Sequence, residues 1–394
     1  MCAIPLRSYW PLRSQLGGFL AVLIASSVAT AAEPLPTNGE PSRQIRFHTA
    51  DEAGVHRERL VRFIWPDGLP TTALPSVSRD VAGTDEVAAA DLDGVDLEGV
   101  DLDRVASIDR LVVDVAGWDF LARVYLLHPQ NTARANRLVV VHQGHSADLG
   151  YGVADTVNFL LDAGLTVAVA HMPLAGWNDD ADGVLDNGSA FSAEDRGTRG
   201  HNELFNALAD KIDGQTFRLF LEPVVQTINQ FIADVPEHGE IAMIGLSGGG
   251  WTTHMMAAVD TRIATSVPVA GSSPLYIRNE DDSSRGDAEQ VYAPLYDEDI
   301  RDDGSGGGVA TWLEIYALGG FGDGRRQTMV TNEHDSCCFS GRPADSFKQI
   351  VTHCVEGELA SGSWSHVLDS SHHEHKISSP VRRDVIAPLL GLDD

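Results

Sequence analysis

Basic residues are scarce in this chain: 28 Lys and Arg stand against 57 Asp and Glu, for a formal net charge of −29. Binding to nucleic acid depends on cationic groups that displace condensed counterions, so that partner is not expected. The same excess keeps the surface hydrated and repels polyanions at low salt. Cysteine is also rare, at 4 residues in 394. Neither C-x-x-C nor H-E-x-x-H spacing occurs, so neither a metal site nor a cofactor is expected.

Long apolar runs are lacking where a membrane span would need them. The run from Leu16 to Ala25 is too short to be a stable span. Arg7 and Arg13 precede it and Ala29-Thr30-Ala31-Ala32 follows, which reads as a secretory signal over residues 1–32. An uncleaved anchor is the alternative; a lipoprotein cysteine at the cleavage point is absent. The exported chain would be secreted or periplasmic, with no membrane contact after cleavage. It would keep Cys337, Cys338 and Cys354. An odd number in an oxidising compartment implies one bridge and one buried thiol. Pairing of the neighbours Cys337 and Cys338 is strained, so a link from one of them to Cys354 is expected.

What is present is an apolar content of 43%, enough for a large buried core. Residues 33–104 read as an N-terminal extension, with a helix around Glu52 to Phe63, followed by an acidic connector. In the connector, Asp91 to Leu102 echoes itself every five residues. Its carboxylates miss calcium-loop spacing and three copies are too few for a solenoid. From residue 105 to 394 the apolar runs alternate. Ile108 to Val115 and Leu121 to Leu127 form a hairpin, Leu138 to His142 and Leu165 to Ala170 are unbroken strand-like runs, and Ile263 to Val269 is a further run. Leu219, Phe220, Val224, Ile228, Phe231, Ile232 and Val235 mark one face of a helix. Further strands are expected at Gln327 to Thr331 and Trp364 to Leu368, with a helix from Ala344 to Glu358. This rhythm predicts an α/β class: a mostly parallel sheet with helices on both faces. Two acidic insertions, Ala175 to Gly214 and Ser272 to Gly308, would overhang the strand carboxyl ends like lids.

Within that frame, Glu240 to Ile244 leads into Gly245-Leu246-Ser247-Gly248-Gly249 and then a helix. Strand, G-x-S-x-G, helix is the context in which this pentad presents a nucleophilic serine. A hydroxyl attacks poorly unless a base takes its proton and a third group orients the base. Both helpers are expected downstream, acid before histidine. Asp335, just past the Gln327 to Thr331 strand, is the leading acid and Glu333 the reserve. His375, past the last strand, is the leading base and His372 the reserve. Oxyanion donors are expected from the N–H of Gly248 and, in the loop His142-Gln143-Gly144-His145, from the N–H of His145 or Gln143.

These residues together resemble the α/β-hydrolase superfamily over residues 105 to 392, and within it secreted bacterial serine esterases of the acetyl-xylan-esterase and dienelactone-hydrolase-like kind. The resemblance implies an α/β-hydrolase fold and hydrolysis of carboxylic esters through an acyl-enzyme, on small-molecule or polysaccharide-linked esters. A serine peptidase or amidase with the same triad, and a catalytically inactive binding protein, are the alternatives. Trp177, Trp251 and Trp312 could line a sugar cleft, although burial is the commoner fate of tryptophan.

Overall fold

A computed structural model describes residues 40–81, 97, 99–178, 183–184, 188, 190–191, 200–278, 286–301 and 305–392. The expected signal segment, and most of the acidic repeat at 91–102, lie outside the described residues.

The first helix, α1 (Ala50–Ile64), begins at a capping box in which the Thr49 hydroxyl and the Glu52 carboxylate satisfy each other's backbone N–H. Its face of Ala53, Leu60 and Ile64 is buried. The segment also sends Arg46 into the core. There the guanidinium Nε and Nη2 contact the fully buried Glu314 carboxylate at 2.8 and 2.6 Å, in the two-pronged geometry that suits this ion pair.

Along the chain follow β1 (Ser76–Ser78), β2 (Val105–Val115), β3 (Phe120–Pro129), β4 (Arg134–His142), α2 (Val153–Asp162) and β5 (Leu165–Ala170). A small separate hairpin pairs β6 (Gly183–Val184) with β7 (Ala190–Phe191). Then come α3 (Gly200–Ile212), α4 (Arg218–Asp234), β8 (Ile241–Leu246), α5 (Gly248–Val259), β9 (Ile263–Val269), α6 (Trp312–Gly320), β10 (Arg326–Asn332) and β11 (Ser363–Asp369).

Among the described residues the main sheet has nine strands in the order β1-β2-β3-β5-β4-β8-β9-β10-β11. The contacts from β5 through β11 are all parallel, whereas β1, β2 and β3 join antiparallel at one end. Successive residues of β4 point to opposite faces: Leu138 and Val140 belong to the core under α1, α4, α5 and α6, and Val139 and Val141 to the core under α2 and the C-terminal helices. Burial on both faces is why these strands read as unbroken apolar runs.

Two elements depart from expectation. The predicted helix over 344–358 is broken into a 3-10 turn, a short α-helical stretch and a wider π-type stretch. The first acidic insertion contains α3, whose Phe205 and Leu208 are fully buried. Among the described residues no helix is long and apolar enough to cross a membrane.

Candidate active site

Because β4, β8, β9, β10 and β11 are parallel and in register, with His142 opposite Gly245 and Asn332 opposite Asp369, their carboxyl ends share one edge. Ser247 stands at that edge, between β8 and α5. Its φ of 59° and ψ of −124° place it in a region that non-glycine residues rarely occupy, which costs on the order of 1–3 kcal/mol. The surroundings enforce the turn: Ser247 N–H donates to Val269 O at 2.9 Å, and Ser247 O accepts from Trp251 N–H at 2.9 Å. A Cβ on Gly245 would lie 2.1 Å from Gly249 O, and one on Gly249 2.1 Å from His142 O, so both positions of the pentad are closed to any side chain. Ser247 itself is half-buried.

Asp335 and His375 come together. His375 Nδ1 lies 2.8 Å from Asp335 Oδ2, and the aspartate side chain is fully buried. Against an ionised carboxylate Nδ1 must be the donor, which leaves Nε2 as the basic nitrogen. His375 Nε2 is buried and has no hydrogen-bond partner among the described residues, so no structural contact occupies it. Asp335 Oδ1 accepts the N–H groups of Cys337 and Cys338 at 2.7 and 3.1 Å, and Oδ2 accepts from Asn332 Nδ2 at 3.0 Å. Burial opposes the charge on Asp335, but the hydrogen bond and charge of His375, then Cys337 N–H and the Asn332 amide, outweigh it and hold the carboxyl below its ordinary range.

The reserve residues are engaged elsewhere. Glu333 pairs with Arg342 at 2.9 Å. His372 Nε2 faces Asp369 Oδ2 at 3.1 Å and its Nδ1 accepts Glu374 N–H at 3.1 Å.

The loop after β4 presses on the nucleophile. A Cβ on Gly144 would lie 2.7 Å from Ser247 Cβ and 3.0 Å from Gly248 N. Two of the loop's backbone donors are already spent: Gln143 N–H on Ala170 O at 2.9 Å, and Gly144 N–H on the Gln143 side chain at 2.8 Å. This removes Gln143 from the expected alternatives. The N–H groups of His145 and Gly248 have no backbone acceptor among the described residues. The His145 ring packs beside Gly248, its Cε1 2.7 Å from where a Cβ on that glycine would sit. A cavity of about 470 Å³ borders His375, Ser336, Tyr151 and Arg382 but not Ser247, so it flanks the pair rather than holding a reacting carbon.

The expected cysteine link is not formed. Cys354 is a free thiol turned into the core, linked to neither Cys337 nor Cys338. The acid is therefore held by the backbone N–H groups of Cys337 and Cys338, not by a bridge to the next helix. The three tryptophans are core residues: Trp251 and Trp312 are fully buried, Trp312 stacks on Tyr296, and Trp177 donates Nε1–H to Arg123 O.

One group had no signature in the sequence. The side chains of His145, His201, Asp287 and Glu289 bring one ligand atom each within 4.8 Å of one another, and among the described residues this is the group that could hold a metal ion. His145 is pushed below its ordinary pKa by burial and then by the charge of His201. For His201 burial acts the same way, but Glu289 and Asp287 outweigh it and raise the value.

No family model and no curated protein sequence matches the chain. Solved structures do. Acetyl xylan esterase 1 from a Thermoanaerobacterium species is 14% identical with a TM-score of 0.51, over 90% of this chain and 98% of its own. The methylesterase BT1017 is also 14% identical, with a TM-score of 0.54, over 88% of this chain and 65% of its own. At such identity the likeness is one of architecture. Together with the strand order and the turn bearing Ser247, it establishes that this chain has the α/β-hydrolase fold.

Proposed function

We propose that the protein is an exported serine hydrolase of carboxylic esters. The observation that carries this reading is the Asp335–His375 pair, with Nε2 unengaged, at the same sheet edge as a half-buried serine on a strained turn. Ser247 Oγ adds to the ester carbonyl while His375 Nε2 takes its proton, and Asp335 accepts the Nδ1–H of the imidazolium. The negative oxygen is received by the N–H groups of Gly248 and His145. The alcohol leaves with the proton from Nε2, and the acyl group stays on Ser247. Water, deprotonated by His375, then releases the acid. Among the similar structures, the acetyl xylan esterase and the methylesterase act on esters by name, which supports an ester over an amide. Residues 1–32 support export.

The test is hydrolysis of p-nitrophenyl acetate beside the matching anilide. Turnover of the ester, abolished in Ser247→Ala, is expected. Full turnover in that variant would refute the assignment, and preference for the anilide would make the protein an amidase.

A further inference from the structure

We propose that His145, His201, Asp287 and Glu289 form a binding site for a divalent transition metal of zinc type, which ties both insertions to the loop carrying the His145 oxyanion donor. The four ligands come from three places remote in sequence: the loop after β4, the first turn of α3, and the short turn Ala288–Gln290 in the second insertion. The imidazole rings of His145 and His201 stack with centroids 4.4 Å apart, so their Nε2 atoms face the same two carboxylates. His145 Nε2 lies 3.6 Å from Asp287 Oδ2 and 4.0 Å from Glu289 Oε1. His201 Nε2 lies 3.8 Å from Asp287 Oδ1 and 3.3 Å from Glu289 Oε2. Ligands about 2.0–2.1 Å from a tetrahedral ion are about 3.3–3.4 Å from one another. The imidazole-to-carboxylate separations run from 3.3 to 4.0 Å and one atom from each side chain lies within 4.8 Å of the others, so the four side chains would draw together around the ion.

A second observation is independent of the spacing. Among the described residues, both Nε2 atoms and both Glu289 oxygens are buried without a hydrogen-bond partner, and the Glu289 side chain is fully buried. A carboxylate removed from water and left without hydrogen bonds is costly, and a dication among two carboxylates and two imidazoles gives a neutral centre. The rival is a metal-free ion pair between protonated His201 and Glu289; it leaves His145 Nε2 and Glu289 Oε1 unused. Two imidazoles select zinc-like ions over calcium or magnesium. The outer shell is in place too: Asn202 Nδ2 donates to Asp287 Oδ1 at 3.0 Å and its Oδ1 accepts Ala288 N–H at 2.6 Å, orienting one ligand and joining the two insertions.

The ion would be a positioning element. Binding is independent of the ester-hydrolase reading; only its effect on turnover rests on that reading. The full chain, stripped with EDTA, is titrated with Zn²⁺ against a chromophoric chelator and separately loaded with Co²⁺. One ion per chain and the intense visible bands of tetrahedral cobalt are expected. His201→Ala and Glu289→Gln should lose stoichiometric binding, and Asn202→Ala should weaken it about 10- to 100-fold. Ser247→Ala should bind as the parent does, so failure of the ester assay would leave this result standing. No stoichiometric binding by the parent, or undiminished binding by both ligand variants, would overturn the proposal. X-ray absorption of the zinc-loaded parent avoids any doubt about variant folding: nitrogen and oxygen scatterers at about 2.0–2.2 Å support the site, and sulfur in the shell refutes it.

Discussion

Replacing Asp335 by asparagine tests the proposed chemistry most directly, because the surroundings dictate how the new amide must sit. Oδ1 accepts two backbone N–H groups, from Cys337 and Cys338, so the amide oxygen must take that position. The NH₂ group then occupies the place of Oδ2 and faces His375 Nδ1, 2.8 Å away in the parent. Two donors cannot face each other, so His375 adopts the other tautomer, accepting at Nδ1 and carrying its proton on Nε2. In that state it cannot take the proton of Ser247. Loss of an orienting aspartate in this way lowers kcat by about 10⁴, which is about 5.5 kcal/mol of barrier. The new NH₂ also faces Asn332 Nδ2, which donates to Oδ2 at 3.0 Å in the parent, so that bond is given up too, but the exchange stays local and Asn332 Nδ2 still has Lys376 O at 3.2 Å, so the fold should survive. Steady-state hydrolysis of p-nitrophenyl acetate by parent and Asp335→Asn, with circular dichroism and thermal melts alongside, measures the effect. A variant that keeps its melt and more than about a tenth of parental kcat would refute the reasoning, because the tautomer argument requires a loss far larger.

Three further outcomes are expected. Gly144→Ala places a methyl 2.7 Å from Ser247 Cβ and 2.9 Å from Leu246 O, so the loop must retreat; a kcat loss of about 10²–10³ is expected from a displaced oxyanion donor, and parental kinetics would show that the loop is not the donor. Burial opposes the charge of Glu314, yet Arg46 and then His56 hold its pKa down at about 2 against an ordinary 4.5. The stability it supplies is full above about 4.5 and is lost as pH falls through about 2; Glu314→Gln should cost about 3–5 kcal/mol at neutral pH by urea melts, with the gap to the parent narrowing on acidification, and a pH-independent gap would contradict the assignment. Burial pushes the Cys354 thiol up to about 12; peptide mapping after iodoacetamide at pH 8 should find it alkylated only once guanidinium has unfolded the chain, and native labelling would show that the thiol is accessible.

The parts of the fold that were legible in the sequence are those whose signal is local. Leu165 to Ala170 and Ile263 to Val269 coincide with β5 and β9 because strands covered on both faces are mostly apolar and carry no charged residue. The α3 helix was hidden by the acidic residues around it, although Leu204, Phe205, Leu208, Ala209 and Ile212 carry helical spacing; its burial depends on Phe217, Phe220 and Tyr292 meeting Phe205 from other segments. The α6 helix is so apolar that it has no polar face to give a period, and its one local mark is the Thr311–Glu314 capping box. At the candidate site, the meeting of Asp335 and His375 could be expected because each follows a strand, in the chain order acid before histidine. His201, Asp287 and Glu289 could not, since nothing in their spacing links them to His145. The cysteine pairing failed for the same reason: the side to which Cys354 turns is a tertiary fact.

The buried contact between Arg46 and Glu314 also bears on descent. The two positions are 268 residues apart, yet the guanidinium also donates to the carbonyl oxygens of Gly306, Gly308 and Val309 at the end of the second insertion. Lysine has one ammonium and no planar fork, so it cannot reproduce this set. Among descendants of one ancestor the two sites should therefore change together or not at all, and a lineage that loses the arginine should lose the glutamate with it.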